Sequence, residues 1–76
     1  MKTYRITYMN EVGGFRTIVH WALRNEDWEE VADSSNGTVM EVLEEIRYDR
    51  WSGGTQCRVL MDANAYGRMK GEIVYV

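Results

Sequence analysis

The chain has no proline, one cysteine and one histidine. Each scarcity excludes something. A lone cysteine cannot close an internal disulfide, so the fold rests on its core, helped at most by a partner or a second copy. His20 and Cys57 cannot by themselves supply the tetrahedral ligand set of a zinc site. The acids do not follow a calcium-loop spacing. Gly13-Gly14, Gly53-Gly54 and Gly67 lack the lysine or the spacing of a phosphate-binding loop. No metal and no cofactor is therefore expected. No apolar run approaches the roughly 20 residues that span a bilayer, so no membrane partner is expected either. The segment Met1-Lys2-Thr3-Tyr4-Arg5-Ile6 carries no apolar block, which argues against a signal peptide and makes a reducing, cytoplasmic setting the default.

What is present reads as one small domain over residues 1–76. The 76 residues are 45% hydrophobic and 28% charged, a globular mixture and not that of a disordered tail. Tyr4, Ile6 and Tyr8 alternate with Thr3, Arg5 and Thr7, the period of a strand. Asn10-Glu11-Val12-Gly13-Gly14 supplies a turn, and Phe15 to Ala22 forms the returning strand. In that strand Phe15, Thr17, Val19 and Trp21 share one face and Arg16, Ile18 and His20 the other. Both faces are partly apolar, so alternation alone does not say which is buried. Asn25 can cap a helical turn through Glu26 to Glu30, with Trp28, Val31 and Ala32 as its apolar side; a short edge strand over Trp28 to Ala32 is the alternative. Asp33 to Gly37 reads as a loop.

Val39, Val42, Leu43 and Ile46 recur at helical spacing, and Thr38 with Glu41 fits a capping box, so a helix is expected from Val39 to about Arg50, ended by Ser52-Gly53-Gly54. Gln56 to Ala63, a reversal at Asn64-Ala65-Tyr66-Gly67-Arg68, and Glu72 to Val76 read as a second hairpin. The expected fold class is α+β: a four-stranded sheet with one helix packed on one face, in β-β-α-β-β order, arranged as in a β-grasp or as an antiparallel meander.

The inventory for catalysis is thin. A Cys57–His20 nucleophile pair is conceivable. However, Cys57 alternates with Val59 and Met61 like a core residue, and His20 sits between Val19 and Trp21 in a strand. A non-enzymatic role is expected.

Charge placement is more informative. The net charge is −3, from twelve acids and nine bases. Residues 26 to 49 hold nine of the acids and only Arg47 among the bases, leaving the rest of the chain positive. An acidic helix and loop face is therefore expected, with Glu29, Glu30, Glu41, Glu44, Glu45 and Asp49 as its partner-binding residues. Its partner would be a protein with a basic surface, such as a nucleic-acid-binding groove that closely spaced carboxylates could occupy as a nucleic-acid mimic. Solvation of an exposed helix is the plainer reading of the same acids. Size and charge pattern suggest an inhibitor of the phage type, acting on a host defence or nucleic-acid-processing complex.

Aromatic residues make up 12% of the chain. Tyr4, Arg5, Arg16, Arg58, Tyr66 and Arg68 would form a second surface if they met on an open sheet face. Such a face suits a protein partner, or single-stranded RNA or DNA that stacks its bases on the rings. Self-pairing of an edge strand into a homodimer is a further expectation.

Overall fold

A computed structural model describes residues 1–63 and 68–76. Five strands form one antiparallel sheet: β1 (Lys2–Met9), β2 (Phe15–Ala22), β3 (Thr38–Asp49), β4 (Gly54–Asp62) and β5 (Ile73–Tyr75), in the spatial order β2-β1-β3-β4-β5. One short helix, α1 (Trp28–Val31), and a 3-10 turn at Ser34–Asn36 lie between β2 and β3.

The first hairpin forms as its alternation predicts. β1 and β2 pair without a break in register from Lys2–Ala22 to Met9–Phe15. Asn10 closes the turn: its side chain accepts from Val12 N–H and Gly14 N–H, and its backbone N–H donates to Gly14 O at 2.9 Å. β2 and β3 both run antiparallel to β1, so they are parallel to each other. The chain must therefore travel back across the sheet between them, and residues 23–37 do so. Trp28, Val31 and Ala32 of this connection pack on Tyr4, Ile6, Tyr8, Ala22 and Val42, the larger core. The helical turn is thus real, but its cap is Asp27 and not Asn25, and no side chain bonds the cap.

Three expectations need correction. The sheet has five strands, not four. β1 lies between β2 and β3 while β5 is at the far edge, so the terminal strands are not neighbours as a β-grasp requires, and the crossover from β2 to β3 is not that of a plain meander. Finally, the segment expected as the acidic helix is β3. Thr38 opens this strand opposite Met9 instead of capping a helix.

The reason is that β3 is buried from both sides. Val42 belongs to the core under α1, while Leu43 belongs to a second core with Cys57 and Val59 on the opposite face. Two adjacent apolar residues facing opposite ways, together with extra β3 residues at Met40 against β1 and at Ile46 against β4, turn a period of two into an apparent period near 3.6. Val39, Val42, Ile46 and Tyr48 are β-branched or aromatic, which favours the pleated form.

The expected reversal at 64–68 lies outside the described residues except for Arg68. β4 and β5 pair as expected, from Gln56–Tyr75 to Arg58–Ile73.

Candidate interaction surface

The strand placement of β3 redistributes the expected acidic face. Glu44 lies on the α1 side of the sheet, directly opposite Arg58 of β4, with Oε1 3.5 Å from the guanidinium. Glu41 and Glu45 lie on the other side. Glu45 accepts from Arg5 Nε at 2.7 Å. Glu41 sits directly opposite Asp62, an arrangement that like charges disfavour. Arg68 resolves it: its guanidinium bonds Glu41 and donates from Nε to Asp62 at 2.9 Å. The Glu41 hydrogen bond holds the Arg68 guanidinium above its ordinary pKa, against the opposing effect of burial. Asp49 is a turn residue: its carboxylate accepts from Trp51 N–H at 3.0 Å, which lowers its pKa, and its carbonyl accepts from Gly53 N–H. Glu41, Glu44, Glu45 and Asp49 therefore do not form one outward carboxylate row.

These ion pairs differ in what they contribute. The Asp62 side chain is 1% exposed and Arg68 is about one-fifth exposed, whereas Arg58 is nearly half exposed. Arg68→Ala is expected to cost about 2–3 kcal/mol, since it withdraws the guanidinium from two facing carboxylates. Arg5→Ala should cost about 1 kcal/mol and Arg58→Ala less than about 0.5 kcal/mol. Urea midpoints measured for the three variants check the order, and equal midpoints would contradict it.

Glu29 and Glu30 have a different setting. They lie on the crossover with Asp27 and Asp33, and all four residues are exposed. None of the four carboxylates has an ion-pair partner among the described residues. Asp27 and Glu29 border a shallow groove of about 210 Å³ that also reaches Tyr4, Trp28, Lys2 and Lys70. The Asp33 carboxylate accepts from Ser35 N–H at 3.0 Å, which lowers its pKa. The acidic surface that remains is the outward side of the crossover from Asp27 to Asp33, a small part of the run read from sequence.

The residues of the expected second surface are not gathered in one place. Tyr4 is buried under the crossover and donates its hydroxyl to Glu26 O at 2.6 Å. Arg16 and Arg58 share Tyr4's side of the sheet, from β2 and β4, while Arg5 projects from the other side. Arg5, Arg58 and Arg68 are engaged by carboxylates. Tyr66 lies outside the described residues. Trp51, by contrast, is 99% exposed at the tip of the β3–β4 hairpin, beside Arg47, Tyr48 and Arg50. Reading this stretch as a helix end hid that aromatic tip.

Cys57 and His20 belong to opposite sides of the sheet and are separated by β1 and β3. Cys57 is fully buried against Leu43 and Val59. His20 Nε2 lies 2.9 Å from Tyr8 Oη, whose oxygen also accepts from Asp33 N–H at 3.1 Å. Burial, then Glu45 and Glu41, push the Cys57 thiol pKa up, with Arg5 opposing; burial and then Glu44 push up the Tyr4 phenol. Each group thus ionises earlier in the unfolded chain, which then binds fewer protons than the native state. Stability should accordingly be intact below about pH 8.5 and fall as the pH rises through the Cys and Tyr range. Urea titrations in alkaline buffers check this, and Tyr4→Phe should flatten the upper part of the decline.

Among the described residues there is no cluster of three or more His, Cys, Asp or Glu that could hold a metal ion, and no helix long and apolar enough to cross a membrane. Comparison with family models, with curated proteins and with solved structures gave no match.

Proposed function

We propose that this chain is a non-catalytic interaction module that binds and modulates a larger macromolecule through the acidic crossover. Asp27, Glu29, Glu30 and Asp33 are the contact residues, and the partner presents a basic protein surface. One observation carries the reading: these exposed carboxylates lack ion-pair partners among the described residues, whereas Glu41, Glu44 and Glu45 each face a guanidinium. An uncompensated patch on a rigidly backed segment attracts a basic surface at long range and accelerates encounter. The crossover is so backed, because Trp28, Val31 and Ala32 anchor it to the core. Mimicry of a nucleic acid by the β3 carboxylates is not part of this proposal, since their charge is already met.

The test is capture of the partner from the native host on the tagged protein, followed by titration of the purified pair at rising salt. Glu29→Lys with Glu30→Lys should weaken binding by about tenfold or more at low salt, and the difference should shrink as salt screens it. Both side chains are exposed, so the circular dichroism spectrum should not change. Equal affinity of the double variant at low salt would overturn the assignment.

A further inference from the structure

β2 presents its more apolar face to solvent: Phe15 is 60% exposed, Val19 46% and Trp21 70%, while Ile18, His20 and Ala22 turn inward. β2 is also an edge strand along its whole length. It holds no proline, no lysine and no bulge, the devices that normally blunt an edge. The opposite edge, β5, is only Ile73–Tyr75.

The direction of the free backbone groups follows from the hairpin. Asn10 N–H donates to Gly14 O, which makes Asn10–Gly14 a hydrogen-bonded pair. Alternation along the unbroken register then points the N–H and C=O of Arg16, Ile18 and His20 at β1. Those of Phe15, Thr17, Val19 and Trp21 point at the open edge. Phe15, Thr17, Val19 and Trp21 thus combine exposed side chains with unpaired backbone groups.

We propose that a second copy of this chain occupies this edge, with β2 paired antiparallel to β2 about a two-fold axis at Ile18. That register sets Thr17 opposite Val19 and Phe15 opposite Trp21 of the second copy, so every outward N–H and C=O from Phe15 to Trp21 finds a partner. It also forms two Phe–Trp cross-strand pairs, the kind of contact that stabilises sheets. Moving the axis to Val19 would place Phe15 opposite Leu23, outside the strand, and lose both pairs. The choice of occupant rests on the Ile18 register and not on charge, since residues 12 to 25 contain Arg16 and Arg24 and no acid, and Arg16 would stand opposite His20 of the second copy. The dimer does not depend on the acidic crossover's binding role, because Glu29 and Glu30 take no part in it.

Sedimentation equilibrium over a concentration series is expected to show a monomer–dimer equilibrium. Val19→Lys places a charge on the paired edge and should weaken dimerisation by about tenfold or more, with circular dichroism unchanged. A second variant fixes the register: Ile18→Cys puts two thiols on the axis at a non-hydrogen-bonded pair, where Cα atoms lie about 4.5 Å apart, within disulfide reach. It should cross-link on mild oxidation, and Val19→Cys should not. Buried Cys57 provides no competing thiol. A wild-type chain monomeric at every concentration overturns the proposal, including one that pairs only with a foreign strand. A dimer indifferent to Val19→Lys and not cross-linked by Ile18→Cys overturns it as well.

Discussion

Tyr8→Ala is expected to leave the chain largely unfolded at room temperature. Tyr8 is fully buried in the larger core, among Ile6, Val42, Ile18 and Val39. Removing a buried aromatic ring costs about 3–5 kcal/mol. A disulfide-free core of this size supplies roughly 3–5 kcal/mol of net stability, so the loss is comparable to the whole. The hydroxyl adds a separate contribution. It accepts from Asp33 N–H and meets His20 Nε2, joining β1, β2 and the end of the crossover at one atom. Tyr8→Phe keeps the ring and removes only this junction, and should cost about 1–2 kcal/mol. Thermal and urea unfolding of the two variants separate packing from hydrogen bonding. A Tyr8→Ala protein with a wild-type midpoint would mean that the crossover does not pack as described.

Gly37→Ala should be nearly as damaging, although it adds one methyl group in a polar loop. Gly37 has φ of 119° and ψ of −160°, a region that only glycine occupies readily. A Cβ there would lie 2.3 Å from Met9 O and 2.9 Å from Met9 C, both backbone atoms of β1. The crossover ends against the sheet at this point, one residue before β3 begins. Strain and clash together should cost about 3 kcal/mol or more. Gly13→Ala is the control: it also has positive φ, but nothing lies within 4 Å of the new Cβ. It should cost only about 1 kcal/mol. The difference between the two midpoints measures the clash together with the greater backbone strain at Gly37.

Both residues show how far local pattern reaches. Tyr8 was legible as a strand residue from its alternation with Thr7 and Arg5, because a hairpin closed by Asn10 and Gly14 is a short-range event. The apolar side of α1 was legible for the same reason. Gly37 was not, since its requirement comes from Met9, a residue distant in sequence. β3 illustrates the opposite error. Its residues satisfy a helical template, and only the strands on either side, with a core against each face, settle the choice. Helical spacing cannot be told from a bulged strand buried on both sides until the neighbours are known.

The same logic divides the charges. Sequence by itself determined that the middle of the chain is acidic and its ends basic, that the first and last segments pair as hairpins, and that no disulfide holds them. Only the tertiary structure decided that Glu41, Glu44 and Glu45 meet Arg68, Arg58 and Arg5, that the crossover keeps its carboxylates in solvent, and that Phe15, Val19 and Trp21 face outward. Composition and period are properties of neighbours along the chain. Ion pairing and exposure depend on which distant segments the sheet order brings alongside, and that order follows from burying both faces of β3 at once.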